Sequence, residues 1–212
     1  MSTDSATAKR ALRRELLAAR WAMTSADRDL AHHALRRHLR AAVARLRPAT
    51  IAAYVPVGTE PLASGEAGQK QPGFDPAILP ELLREAATQA GRIEPRILLP
   101  IWREDNELDW AAYKGVEALA VSPRGLVEPT DPRLDLDQIG QVDLVLLPAL
   151  AVDGHGHRLG RGAGCYDRAL ARNRAITVAV TYDHERLDEV PHDSHDVPVG
   201  AVVTPSGLYR IQ

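Results

Sequence analysis

The chain has 212 residues, 45% of them hydrophobic, with 26 Lys and Arg against 28 Asp and Glu, a formal net charge of −2 and one cysteine. That length and apolar content suit one domain, residues 1–212, with a substantial core. The near-neutral charge argues against a general nucleic-acid or membrane-surface binder, the lone cysteine excludes an internal disulfide, and no apolar run reaches membrane-spanning length.

In chain order, residues 7–22 have helical periodicity, with Leu12, Leu16, Ala19 and Met23 on one face and Lys9, Arg10, Arg13 and Arg14 near the start. Cations near a helix N-terminus oppose its dipole, which suggests an anionic partner; the alternative is a solvated basic face. No apolar stretch follows these cations, so no signal peptide is expected, and a cytoplasmic location is. Thr24-Ser25-Ala26-Asp27 reads as a cap before a helix over about 26–46, which Pro48 ends. Residues 50–57 read as a strand, and 58–73, rich in Gly, Pro, Ser and Gln, as an exposed loop. A helix over 75–90 precedes a strand near 96–101, and 107–113 is a further candidate strand. Residues 122–133 carry three prolines and a glycine and read as loop. The apolar run 142–147 has the signature of a strand buried on both faces, repeated at 175–182. Residues 166–172 read as a helix, and 199–204 and 208–211 as short terminal strands. Strands alternating with helices imply an α/β fold: one open, mainly parallel sheet flanked by helices.

The stretch Asp153-Gly-His-Gly-His-Arg-Leu-Gly-Arg-Gly-Ala-Gly-Cys-Tyr-Asp167 carries the most chemistry. Gly160, Gly162 and Gly164 free the backbone to take positive φ and turn N–H groups toward one point. Arg158 and Arg161 add forked cationic donors, the following helix adds its dipole, and Asp167 stands where it can hold an accompanying Mg²⁺. This is a cradle for a polyphosphate. It is neither a P-loop nor Gly-x-Gly-x-x-Gly, and a glycine-rich surface loop with solvated arginines is the competing reading.

Other candidates are weaker one by one. Glu60, past the 50–57 strand, can bind an amine or ring N–H, or be merely solvated. His192, Asp193, His195 and Asp196 match no standard zinc spacing; a hard cation at Asp196, helped by phosphate oxygens, suits them better, and an exposed polar loop is the alternative. His155 and His157 are either proton carriers or exposed and inert. Cys165 at a helix start can hold a stabilised thiolate, but without a partnered histidine it is not assigned as a nucleophile. Trp102, Trp110 and Tyr54 are flat surfaces for a fused ring, or core.

In this order the pieces resemble the 5-formyltetrahydrofolate cyclo-ligase (methenyltetrahydrofolate synthetase) family. The strongest match runs from Leu147 to Leu170, against a family pattern of Pro-Gly-hydrophobic-Ala/Gly-Phe-Asp, a short turn, then Gly-x-Arg-Leu-Gly-x-Gly-x-Gly-Tyr-Tyr-Asp. Lys9-Arg-Ala-Leu-Arg13, the segment Tyr54 to Glu60, and His195-Asp196 before Val199-Gly-Ala-Val-Val-Thr204 resemble its other segments, so the likeness spans nearly the whole chain. The departures are Ala149, Val152, Cys165 and Gly200, and a longer loop at 61–73.

The resemblance implies ATP-dependent cyclisation of 5-formyltetrahydrofolate to 5,10-methenyltetrahydrofolate, releasing ADP and phosphate. It implies ATP as co-substrate, Mg²⁺ as cofactor, no nucleic-acid or membrane partner, and a monomer. By position, Lys9, Arg13, Arg158, Leu159, Gly160, Arg161, Gly162, Ala163, Gly164, Cys165 and Tyr166 would meet ATP. Tyr54, Val55 and Glu60 would meet the folate, Asp167 and Asp196 the metal, and Arg161 and Tyr166 would act in catalysis. The rival readings are a folate-binding paralogue of altered activity, and a phosphate-ester isomerase or acyl-transfer enzyme that needs no ATP.

Overall fold

The computed structural model describes residues 3–64 and 75–211. Helix α1 spans Thr3–Ala22 and α2 spans Ser25–Leu46. Thr24 caps α2, accepting from the Asp27 backbone N–H at 3.1 Å, as its sequence pattern predicts. Because α1 begins at Thr3, Lys9 to Arg14 fall beyond its first turn. The expected clash with the helix dipole is therefore small, since that field fades within a turn.

Strand β1 is Thr50–Ala52, α3 is Ile78–Gln89, β2 is Arg96–Trp102 and β3 is Leu108–Ala112. A hairpin follows, β4 (Leu119–Val121) with β5 (Val127–Pro129), then β6 (Leu144–Pro148) and a second small hairpin, β7 (Ala151–Val152) with β8 (Arg158–Leu159). Helix α4 (Cys165–Ala171), β9 (Ile176–Val180), β10 (Ala201–Thr204) and β11 (Gly207–Arg210) complete the chain.

Seven strands form one sheet in the order β11-β10-β9-β6-β1-β2-β3. The five inner strands are parallel, and antiparallel β3 and β11 close the two edges. Period-2 alternation divides the core. Ile51, Leu99, Leu146 and Val203 face α2 and α3; Ala52, Leu98, Val145, Leu147 and Val202 face α4 and a 3-10 turn at Leu136–Gln141. Helix α1 instead packs Leu16 against Leu150, Ala151, Leu159 and Val190, beyond the carboxyl end of β6. No helix among the described residues is long and apolar enough to cross a membrane.

The chain leaves β1 for β2 on one side, whereas β6, β9 and β10 build out on the other. The carboxyl ends of β1 and β6 therefore flank a topological switch point, where adjoining connections diverge and leave a crevice.

Three expectations need correction. The strand expected over 50–57 stops at Ala52, and Ala53 to Val57 run on without regular structure. The loop expected over 122–133 contains β5, because a turn at Ser122–Leu126 lets it pair with β4; the prolines stand outside the positions where the hairpin needs donors. The loop expected to be exposed over 58–73 buries Thr59 to Ala63, and its remainder from 65 on lies outside the described residues.

Candidate active site

A cavity of about 640 Å³ opens at the switch point, within the range of small-molecule sites. Its floor is the segment just after β1 (Tyr54, Val55) and the end of β6 with the residues after it (Pro148 to Leu150). One wall is the loop from Arg158 to Asp167, another is the β4–β5 hairpin with Trp102, and α1 closes the side. Every residue singled out in the sequence for ATP, folate or metal lines this cavity.

The glycine-rich wall is built as its composition requires. Gly162 and Gly164 have φ of 112° and 69°, a region that other residues enter at a cost. Gly164 precedes α4 and supplies no side-chain cap to that short helix. The cations around the wall are held by the protein itself. Arg158 donates to Asp167 Oδ1 at 2.7 Å and to the Val197 carbonyl. Arg13 Nε donates to the Gly160 carbonyl at 2.8 Å, and Lys9 Nζ contacts Asp193 Oδ2 at 2.8 Å and Asp196 Oδ2 at 2.6 Å. Partial burial opposes the Lys9 charge, but its hydrogen bonds to the two aspartates outweigh that and raise its pKa. Lys9 in turn lowers Asp193, and lowers Asp196 against the opposing effect of burial.

Lys9, Arg13, Leu16 and Arg20 form one stripe of α1, spaced four, three and four residues apart. Arg20 is only 1% exposed. It donates to both oxygens of buried Glu185 and to the carbonyl of Ala149 at the end of β6. Sequence reasoning missed Arg20, although its i+4 spacing from Leu16 on the apolar face was the available signal. It also gave Asp193 no part in holding Lys9.

The opposite end of the cavity is darker. Glu60 is buried, accepts from the Val57 backbone N–H at 3.0 Å and meets Arg161 Nε at 3.2 Å. Burial raises its pKa above the ordinary 4.5, and Arg161 only partly offsets this. Tyr54 is 3% exposed, and its hydroxyl has no hydrogen-bond partner among the described residues. Burial, then the Glu60 charge, pushes the Tyr54 and Tyr166 hydroxyls well up. Glu60 is therefore not the solvated glutamate that its loop composition suggested as the alternative.

The remaining candidates separate. Trp102 lines the cavity, with the Arg124 guanidinium 3.2 Å from its ring centroid, whereas Trp110 is fully buried and presents no stacking surface. Cys165 is buried at the start of α4, and burial raises its thiol pKa, which runs against the stabilised thiolate. His155 and His157 lie off the cavity lining. His157 bonds Asp153 at 3.1 Å and stacks on His192 at 3.5 Å between ring centroids, tying the β7–β8 turn to the segment that carries Asp193 and Asp196. Among the described residues no group of three His, Cys, Asp or Glu is arranged to hold a metal. Asp167 and Asp196 nevertheless suit a hard cation. Asp167 accepts from Val197 N, next to Asp196, and the Lys9 ammonium already stands as a cation on Asp196.

A profile of the 5-formyltetrahydrofolate cyclo-ligase family matches residues 75–205. A 5-formyltetrahydrofolate cyclo-ligase of Mycolicibacterium smegmatis is 39% identical over 204 residues, covering 93% of each chain. This chain belongs to the 5-formyltetrahydrofolate cyclo-ligase family. The cyclo-ligase of Escherichia coli is 28% identical over 142 residues, 65% of this chain and 76% of that protein. The solved 5,10-methenyltetrahydrofolate synthetase of Aquifex aeolicus shares the fold with a TM-score of 0.73 at 26% identity, over 96% of this chain and 93% of that one. A synthetase of Mycoplasma pneumoniae, 20% identical with a TM-score of 0.67 over 93% and 98%, shows the same fold. Family membership makes this cyclo-ligase-family chain an enzyme of the ligase class, and the expected open, mainly parallel sheet is the one observed.

Proposed function

We propose that the chain converts 5-formyltetrahydrofolate to 5,10-methenyltetrahydrofolate with ATP, releasing ADP and phosphate. The observation that carries this is the contact between Arg161 and Glu60. It joins a polyphosphate-type loop and a buried carboxylate pocket across one cavity, as a reaction between a nucleotide and a ring with N–H donors requires.

The formyl oxygen is a poor leaving group. It attacks the γ-phosphorus and ADP departs, leaving an N5 iminium phosphate. N10 then attacks the formyl carbon and loses its proton, and the C–O bond breaks to release phosphate. This chemistry needs positioning and charge neutralisation more than a strong base. Arg158, Arg161, Arg13 and Lys9, with the backbone from Leu159 through Gly160, Gly162, Ala163 and Gly164 to Cys165, hold the phosphates. Arg161 reaches the transferring group from the side nearer the folate. Glu60 accepts from the pterin N–H groups, Tyr54 and Val55 shape that end, and Tyr166 lines the junction. Bound Mg²⁺ would spread the phosphate charge and fix its geometry, and Asp167 and Asp196 are the residues that would hold it. One chain supplies all these groups, so the monomer suffices.

The test is the absorbance of the methenyl product, followed with and without ATP. Formation only with ATP supports the reading. Binding of 5-formyltetrahydrofolate without turnover would make the chain a folate-binding paralogue instead.

A further inference from the structure

We propose that Lys9 is an exchangeable internal counter-ion. Without nucleotide its ammonium holds Asp193 and Asp196 together; when a metal–nucleotide complex enters, Lys9 passes to the phosphates and the metal takes its place at Asp196. The proposal rests on the nucleotide reading above.

The geometry is that of a shared cation. Lys9 Nζ lies 2.8 Å from Asp193 Oδ2 and 2.6 Å from Asp196 Oδ2, and the Asp193 backbone N–H donates to the same Asp196 oxygen at 2.8 Å. Two carboxylates this close repel unless a cation stands between them. The three side chains are only 10–13% exposed, so solvent does little of that work.

Lys9 is also placed to leave. It lines the cavity one turn from Arg13, whose guanidinium already touches the glycine loop at Gly160. A lysine is a point charge on a flexible stem, suited to changing partners without a fixed fork geometry. Asp167 is likewise occupied by Arg158. A free divalent ion would have to displace an ammonium bonded to both carboxylates and would receive nothing for that ammonium to bind. A metal carrying a triphosphate brings the acceptor with it: the two ammonium–carboxylate contacts are exchanged for an ammonium–phosphate and a metal–carboxylate contact. Asp193 is then a positioning residue that parks Lys9, not a metal ligand. A static tie between α1 and the 190–196 segment would show no such competition.

The experiment uses the full chain in two titrations: free Mn²⁺ followed by electron paramagnetic resonance, and the Mg²⁺ complex of a non-hydrolysable ATP analogue followed by calorimetry. Relative to wild type, Lys9→Met and Lys9→Gln should each bind free Mn²⁺ about tenfold more tightly and the analogue about tenfold more weakly. Asp193→Asn should bind the analogue at least as tightly as wild type. Unchanged Mn²⁺ affinity in both Lys9 variants, with analogue binding to wild type intact, overturns the exchange alone. Asp193→Asn weakening the analogue as much as Lys9→Met makes Asp193 a direct ligand and also overturns it. No analogue binding to wild type overturns the nucleotide reading itself.

Discussion

At the glycine-rich end of the cavity every cation has a protein partner and much of the wall is open to solvent; the Arg161 side chain is 53% exposed. At the Glu60 end the groups are enclosed, Tyr54 has no partner for its hydroxyl among the described residues, and Glu60 holds its proton more tightly than a free glutamate. The first end can exchange ions with an incoming polyphosphate at modest cost, because it swaps one set of charged contacts for another. The second is already dehydrated and has polar atoms in need of partners, so on the proposed reading a ring with matching N–H groups would be favoured there and a mismatched one penalised. Arg20 supports the second end, since it anchors α1 to Glu185 and to the carbonyl at the end of β6.

The largest effect should come from that anchor. Arg20→Ala leaves Glu185 buried without its counter-ion and should cost about 3–5 kcal/mol of stability. Urea unfolding measures it, and a loss near that of a surface substitution would show that the pair is dispensable. At the open end, Arg161→Ala should lower kcat by about 10²-fold with folate affinity little changed. A retained turnover number would place Arg161 outside the reaction. Within the enclosed end, Glu60→Gln should raise the KM for folate about tenfold, the worth of one charged hydrogen bond, and leave ATP affinity unaltered. An equal loss in ATP binding would erase the distinction between the two ends.

The same residue gives a pH signature. Glu60 must be ionised to meet both Arg161 and the pterin donors, so kcat/KM for folate should fall as pH drops through its raised pKa, above the ordinary 4.5. In Glu60→Gln that limb should vanish. The sign for stability is opposite: a carboxyl that binds its proton more tightly when folded favours the fold at low pH and loses that contribution as pH rises through the folded value. Glu60→Gln should therefore melt slightly higher than wild type at neutral pH and show no gain under acid. The smallest effect should be at Cys165. Its thiol is buried and burial raises its pKa, so Cys165→Ser should stay within about tenfold in kcat/KM. A larger loss would assign the sulfur a chemical role.

Much of this was legible in the chain alone. The apolar runs before Pro148 and before Tyr182 are inner strands because a sheet covered on both faces needs hydrophobic residues at successive positions. The density of glycine between Arg158 and Asp167 located the glycine-rich wall, because few other residues take the φ angles of Gly162 and Gly164. Hairpin β4–β5 was not legible, since its pairing depends on a turn among residues that favour loops. The burial of Glu60 was not legible either, because a polar loop shows no periodicity that tells inside from outside.

The sequence by itself determined the α/β alternation, the glycine-rich wall and the family, since these follow from local periodicity and from motifs written in contiguous residues. Only the tertiary structure decided which charges meet. Lys9 and Asp196 are far apart in the chain, as are Arg20 and Glu185 and Glu60 and Arg161. Their pairing depends on α1 lying across the carboxyl ends of the strands and on the loop after β1 turning inward. A charge's partner, its burial and hence its pKa are set by distance in space, which no spacing along the chain encodes.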